Sequence, residues 1–274
     1  VHFIVHSLKD LPSTLPPGMA IGAIYRRDDP NDALILHPKH KGLSIGKLPE
    51  GSVIGTSSLR RIAQLRRKYP HLKFEDVRGN LNTRLKKLDE SGKYDALVLA
   101  KAGLDRMNWQ ARTDQVLLQD DCLYAVGQGA IAVEMNIDDN KTVALVAELF
   151  DFETTVCCAT ERSFLKTLQG GCSVPVGVHT EFKENKLSLT GAVLSLDGKQ
   201  CVNQTMVKDI PPLNEALRGK EPSLGMSSIL IPAHMYDAVH EGEILGDKLA
   251  HALIAEGAAE ILEKAREENE STKP

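Results

Sequence analysis

The sequence predicts an α/β protein followed by a smaller α+β unit, and three observations carry that expectation. Strand and helix patterns alternate between residues 32 and 126. Residues 94–99, apolar but for Asp95, read as a strand of the kind buried on both faces of a largely parallel sheet. After residue 174 strand patterns follow one another directly, with Asp197-Gly198 as a hairpin turn between two of them. The 274 residues are enough for two domains, or three small ones. Hydrophobic residues at 42% and charged residues at 26% match an ordinary soluble globular chain. No apolar run approaches the ~18 residues that a membrane span needs.

Taken in order, residues 1–5 read as a buried strand entered halfway. No Met and no charged flank precede its apolar residues, so it is not a signal peptide. The expectation is a fragment that lacks a preceding segment. The turn His6-Ser7-Leu8-Lys9-Asp10-Leu11-Pro12 follows, and Pro12, Pro16 and Pro17 forbid a long regular element. Residues 20–25 read as a strand, and the polar stretch 26–30 as a hinge. Residues 52–55 form a short strand. Thr56-Ser57-Ser58 then caps a helix through about Lys68, whose inner face is Leu59, Ile62, Ala63 and Leu65. A strand at 74–77 leads to a helix from Asn80 to about Gly92, with Leu81, Leu85 and Leu88 inward. Tyr124-Ala125-Val126-Gly127-Gln128-Gly129-Ala130 is a crossover into a strand at 131–135. Residues 153–168 are helical. Strands are expected at 174–179, 187–194 and 201–207, and one helix from Leu249 to about Glu268. Residues 209–243 show no readable period, and 267–274 read as a frayed end.

The chemistry-bearing residues are unevenly placed. Net charge is −4, yet residues 56–108 hold thirteen Lys and Arg against six Asp and Glu. A basic segment in an acidic protein is a candidate anion site. Arg60 and Arg61 follow the hydroxyls at a helix start, where free N–H groups and guanidinium forks converge. Arg78, Arg84 and Arg106 flank strand ends or helix starts of the same region, and such ends line one crevice in an open α/β sheet. Each fork can bind one carboxylate, so the set suits a polyanionic ligand. Asp10 is either a cap of its turn or a carboxylate that handles protons. His6 reads as a structural donor. The five cysteines are odd in number, without CxxC or zinc-finger spacing. Cys157 and Cys158 read as core. Gly170-Gly171-Cys172-Ser173-Val174-Pro175 presents a single thiol between two glycines and an extended Val-Pro exit, which is a tight turn or a loop that holds something covalently.

Side by side, these segments resemble the porphobilinogen deaminase (hydroxymethylbilane synthase) family. The stretches His6 to Pro12, Gly55-Thr56-Ser57-Ser58-Leu59-Arg60-Arg61, Val77-Arg78-Gly79-Asn80-Leu81-Asn82-Thr83-Arg84, Ala102-Gly103-Leu104, Gly127-Gln128-Gly129 and Gly170 to Pro175 occur in the family's order over nearly the whole chain. The detailed pattern looks closest to the animal cytosolic enzymes. The resemblance implies two α/β domains like those of periplasmic binding proteins, with a cleft between them, and a small α+β C-terminal domain. Domain 1, incomplete at its start, would hold 1–27 and 127–150. Domain 2 would be 28–126, and domain 3, with the cysteine loop, 151–274. It implies a dipyrromethane cofactor joined by a thioether to Cys172, to which four porphobilinogen units are added with loss of ammonia. Lys9, Ser57, Ser58, Arg60, Arg61, Arg84, Arg106 and Gly129 would bind the cofactor. Arg61, Arg78, Arg84 and Gln128 would bind substrate. Asp10 would be the catalytic carboxylate, steering the leaving amine, stabilising the azafulvenium-like cation and taking the proton lost on coupling. The family's opening strand and helix have no match here, so the chain as given is expected to be poorly stable or inactive.

Two other readings remain in view. A non-catalytic anion-binding module would explain the arginines but has no need of Gly170-Gly171-Cys172. A nucleic-acid binder should interleave aromatics with its basic residues, and aromatics are only 4% of the chain. The reading is therefore a cytoplasmic, monomeric enzyme acting on a small molecule, with no nucleic-acid or membrane partner.

Overall fold

The computed structural model describes residues 2–169 and 174–271. Along the chain, β1 (Phe3–Ser7) runs into a 3₁₀ turn at Leu8–Asp10. β2 (Met19–Tyr25), β3 (Asp32–Leu36) and β4 (Val53–Gly55) precede α1 (Leu59–Lys68). β5 (Lys73–Glu75), α2 (Leu81–Glu90), β6 (Ala96–Ala100), α3 (Lys101–Arg106) and β7 (Gln115–Leu117) complete the middle region. β8 (Ile131–Asn136), α4 (Asn140–Val146) and α5 (Phe152–Thr167) follow. Then come β9 (Val176–Lys183), β10 (Lys186–Leu194), β11 (Cys201–Asp209), the short β12 (Ser223–Leu224) and β13 (Leu230–Ile231), α6 (Tyr236–Ala255) and α7 (Ala258–Ser271).

Three sheets of three or more strands organise these elements. The first has the order β1-β8-β2, antiparallel throughout. The second has the order β5-β4-β6-β3-β7. The third is the antiparallel meander β11-β10-β9, packed with α5, α6 and α7. The expected largely parallel middle sheet needs correction. Only β5, β4 and β6 run parallel, while β3 is antiparallel to both β6 and β7. β3 and β7 are where the chain enters and leaves this region, and they lie side by side. One consequence positions the site: the start of β3 lies at the same end of the sheet as the carboxyl ends of β4, β5 and β6, with Asp32 paired to Ala100.

Helix starts follow local chemistry. Asn80 accepts from the Thr83 N–H at 2.9 Å, and Asp151 accepts from the Thr154 N–H at 2.9 Å, each satisfying one orphan donor. α6 and α7 correct the expected single C-terminal helix. The chain breaks at Gly257, whose φ of +98° is the left-handed conformation that ends helices. α7 also runs to Ser271, beyond the expected frayed point, while 272–274 lie outside the described residues. β1 corrects another expectation, since Phe3, Ile4 and Val5 are 42%, 47% and 57% exposed. It is a sheet edge paired on one side with β8. An apolar stretch marks a strand but not whether anything covers it.

The turn after β1 is bound into the C-terminal core. Leu8, Leu11 and Leu15 are buried in one cluster with Phe164, Leu168 and Leu245. Cys157 and Cys158 are buried there too, and burial pushes the Cys157 thiol up to about 12. They are core residues, as the sequence suggested.

Candidate functional site

The Lys9-Asp10 turn faces the carboxyl ends of the middle sheet. The Leu8 N–H donates to the Ala130 carbonyl at 3.0 Å, and the Leu11 N–H donates back to Leu8 at 3.1 Å. Two adjoining chambers of about 290 and 300 Å³ open beside it, sharing Lys9, Asp10, Arg61, Arg84 and Gln128. The first also takes in Gly79, Asn80, Arg106 and Gly129, and the second takes in Ser57, Ser58, Arg60, Leu165, Val174 and Val176. Among the described residues, Asp10 is the only acid lining either chamber, against Lys9, Arg60, Arg61, Arg84 and Arg106.

The crevice end of the middle sheet explains this charge. Asp32 opens β3 fully buried, and two guanidiniums of α1 converge on it. Arg60 Nη1 donates to Oδ2 at 2.7 Å, and Arg61 Nε and Nη2 donate to Oδ1 at 3.0 and 2.7 Å. Burial alone would raise the Asp32 pKa, but Arg60 and Arg61 overcome it and hold the carboxyl well below its usual range. Arg60 also donates to the Leu123 carbonyl, and Arg61 to the Val98 carbonyl. These two arginines are therefore wall members first, not the open forks expected from the sequence. Two cations on one carboxylate still leave an excess positive charge at the cleft. Gln128 is likewise turned inward, donating from Nε2 to Asp32 Oδ1 and the Pro30 carbonyl.

The remaining expected residues divide by their partners. Arg84 donates from Nε to the Gly79 carbonyl at 2.7 Å, while its terminal nitrogens make no hydrogen bond with a described residue. The Lys9 ammonium makes none either. Burial first, and then Arg61, lower the pKa of both groups. Arg106 pairs with Asp28 at 2.8 Å and donates to the Gly129 carbonyl at 2.7 Å. Ser57 Oγ donates to the Val77 carbonyl and accepts from the Val77 N–H, so it holds the loop. Ser58 sits at the α1 N-cap without a side-chain cap bond, facing the second chamber. Arg78 lines neither chamber and pairs with Asp76 in solvent. Cys172 lies outside the described residues. The nearest described residue after it, Val174, lines the second chamber together with Leu165 of α5.

Gly129 is required by its conformation. Its φ is +88°, and a Cβ there would lie 2.6 Å from the Asp28 carbonyl oxygen. Gly129→Ala is expected to cost about 1–3 kcal/mol of stability and to displace the carbonyl that Arg106 holds. Urea unfolding measures the first effect, and an unchanged midpoint would show that the crossover accepts a side chain.

Asp32 was not among the residues singled out from the sequence, nor were the buried pair Arg27–Glu161 and the buried Arg162. Arg27 binds Glu161 with both terminal nitrogens, at 2.6 and 3.0 Å, and donates from Nε to the Gln128 carbonyl. Glu161 in turn accepts from the Gly127 N–H at 2.8 Å, fixing the crossover. The available signals were one carboxylate opening the apolar Asp32-Ala33-Leu34-Ile35-Leu36, and Glu161-Arg162 interrupting an apolar helix.

A polyanion fits this cleft on three counts. Among the described residues, Lys9 and the terminal nitrogens of Arg84 lack hydrogen-bond partners, Arg60 Nε is a buried donor with none, and the cations raise one another's potential. A larger cavity of about 870 Å³ beside α4 offers no such field: Arg218 and Lys220 face Glu148 and Glu221, and Arg218 is already bound to Glu215. Among the described residues no cluster could hold a metal ion, and no helix is long and apolar enough to cross a membrane.

Comparison with known proteins gives the family. The family model for the porphobilinogen deaminase dipyrromethane cofactor binding domain matches residues 1–144, and that for the C-terminal domain matches 155–221. Porphobilinogen deaminase of Nostoc sp. is 46% identical over 262 residues, covering 96% of this chain and 72% of the relative. That of Synechococcus sp. strain RCC307 is 45% identical over 260 residues, covering 95% and 73%. That of Synechococcus sp. strain CC9902 is 53% identical over 200 residues, covering 73% and 63%. These relatives are cyanobacterial, so they support the family without the animal subtype expected from the motifs. Among solved structures, an arginine-transport periplasmic binding protein from Legionella pneumophila is 12% identical, covering 54% of this chain and 57% of that one, with a TM-score of 0.28. That likeness is too loose to carry an argument.

Proposed function

The chain belongs to the porphobilinogen deaminase family, and we propose how its residues divide that family's work. The reaction deaminates four porphobilinogen units and joins them into the linear tetrapyrrole hydroxymethylbilane, as part of haem biosynthesis. The covalent dipyrromethane, when bound, supplies the pyrrole end onto which units are added.

The observation that carries the residue assignment is the one-sided charge of the two chambers, five cations around a single acid. Each pyrrole brings an acetate and a propionate, so a growing chain accumulates negative charge inside the cleft. Lys9 and the terminal nitrogens of Arg84, which make no hydrogen bond with a described residue, would bind these carboxylates directly, with Ser58 adding a hydroxyl. Arg61 and Arg106 would share donors between the wall and the ligand. Arg60, Ser57, Gln128 and Gly129 would act by holding the wall in shape, and Arg78 would meet carboxylates only at the rim. Asp10 would hold a proton at the amine leaving porphobilinogen and take the proton released from ring carbon on coupling. Its charge also opposes the positive charge left on the substrate when the amine departs. Cys172 would anchor the cofactor by a thioether. Three domains divided as 1–27 with 127–150, 28–126 and 151–274, and cytoplasmic operation as a monomer, belong to the same proposal. All residues named come from one chain.

The test is the intact mass of the denatured protein beside Cys172→Ser, both from cells that make porphobilinogen. A mass excess of two linked pyrroles, absent in the variant, is expected. An excess retained in Cys172→Ser would move the anchor to another residue. An unmodified mass in folded parent protein would favour a non-catalytic module that binds polycarboxylates.

A further inference from the structure

We propose that Arg162, outside the cleft, is a positioning residue: from α5 it clamps the carbonyls of Leu11 and Pro12 and so fixes where Asp10 stands. This rests on the reading of Asp10 as the catalytic carboxylate. Arg162 is 2% exposed and lines neither chamber. Its Nη1 donates to the Leu11 carbonyl at 3.3 Å, Nη2 to Pro12 at 2.7 Å and Nε to Ser227 at 3.2 Å. No carboxylate pairs with it among the described residues, and burial lowers its pKa to about 10.

A buried cation without a counterion is costly, and an apolar residue of similar volume would pack there more cheaply. What an apolar residue lacks is the fork. The Pro-rich turn after Asp10 makes no sheet ladder, so its carbonyls, that of buried Leu11 first, take donors from elsewhere. One planar guanidinium meets two successive carbonyls and ties both to a third from the opposite side. That third carbonyl is itself held. Ser227 donates from its N–H at 2.8 Å and its hydroxyl at 2.5 Å to Glu243 of α6, which also accepts from the Met226 N–H at 3.1 Å. Ser228 Oγ accepts from the Leu15 N–H at 3.3 Å, closing the turn from its far end. Glu161, the neighbour of Arg162, holds the Gly127 N–H on the other wall. Two adjacent charged residues of α5 thus anchor both strands of chain that border Asp10.

Arg162→Lys keeps charge and burial but replaces the fork with a point donor. The expected result is a fall in kcat of ~10–100-fold, the scale of an ångström-sized displacement, with KM for porphobilinogen unchanged within about twofold. Hydrogen exchange at the Leu8, Leu11 and Leu15 amides should quicken while β10 stays protected. Glu243→Gln, far from the cleft, loosens the same relay from its other end and should lower kcat in the same direction by about threefold or more. It decides the matter if Arg162→Lys does not fold. An unchanged kcat in these variants, a rise in KM alone, or exchange quickened evenly along the chain would overturn the proposal. Asp10→Asn separates the two readings. If it keeps the parent rate, the catalytic assignment fails and the exchange data alone judge the clamp. If it is inactive while Arg162→Lys keeps the parent rate, only the clamp fails.

Discussion

Replacing Asp10 by Asn is expected to lower kcat for porphobilinogen consumption by ~10²–10⁴-fold, the usual worth of a positioned acid–base group, and to leave the fold intact. Asp10 is exposed to the cleft, and its carboxylate makes no hydrogen bond or ion pair with a described residue. Structure therefore loses little with the charge. Chemistry loses much, because no other described acid lines the chambers to hold the proton or to oppose developing positive charge. Asn has the same shape and can still accept a hydrogen bond, so the change isolates proton handling and charge. The measurement is a pair: steady-state kinetics at saturating substrate, and a urea unfolding midpoint. A merely binding role would raise KM with kcat preserved. A variant within about threefold of the parent kcat would remove Asp10 from the chemistry altogether.

Much of the fold was readable because its period is local. The leucines at 81, 85 and 88 repeat at helical spacing, and α2 runs over them. The strand read at 94–99 became the central β6, whose apolar residues begin after Asp95 and lie between neighbours on both sides. The hairpin turn at Asp197-Gly198 joins β10 and β11, with Gly198 at φ +75°. Legibility failed where the deciding partner lies far along the chain. The inner face of α1 includes Arg60 and Arg61 beside Ala63 and Leu65, because Asp32 waits beneath it, 28 residues upstream of Arg60. No helical period announces such a pair. Residues 209–243 gave no pattern because they form two-residue strands and 3₁₀ turns, and because buried Glu243 interrupts the apolar face of α6. The break at Gly257 was visible as a glycine, but the apolar spacing of Leu249, Leu253, Ala258 and Ile261 passes over it.

The largest loss of stability is expected from Asp32→Asn, about 3–5 kcal/mol at neutral pH, the cost of removing one partner from a buried ion pair. Domains of this kind have roughly 5–15 kcal/mol in hand, so the variant should unfold at much lower urea. The reason lies in what remains. Two buried guanidiniums would face a neutral amide, and its single oxygen could not accept both from Arg60 on one side and from Arg61 and Gln128 on the other. The pH dependence has a definite sign. Arg60 and Arg61, against the opposing effect of burial, depress the folded pKa of Asp32. Its stabilisation is thus fully present above the unfolded carboxylate value of about 3.9 and is lost as pH falls toward the folded value. The gap between parent and variant should be flat from about pH 5 to 8 and should narrow below about pH 4. A gap under about 1 kcal/mol at pH 7, or one that stays constant down to pH 3, would contradict the geometry. Adding Arg60→Met to the variant should recover part of the loss, since one uncompensated buried cation leaves with it. Arg61 would then stand alone against the amide, and ligand carboxylates would become its only charged partners. Stability of that double variant should rise with added polycarboxylate more steeply than the parent's, because the wall and the anion site share the same arginine.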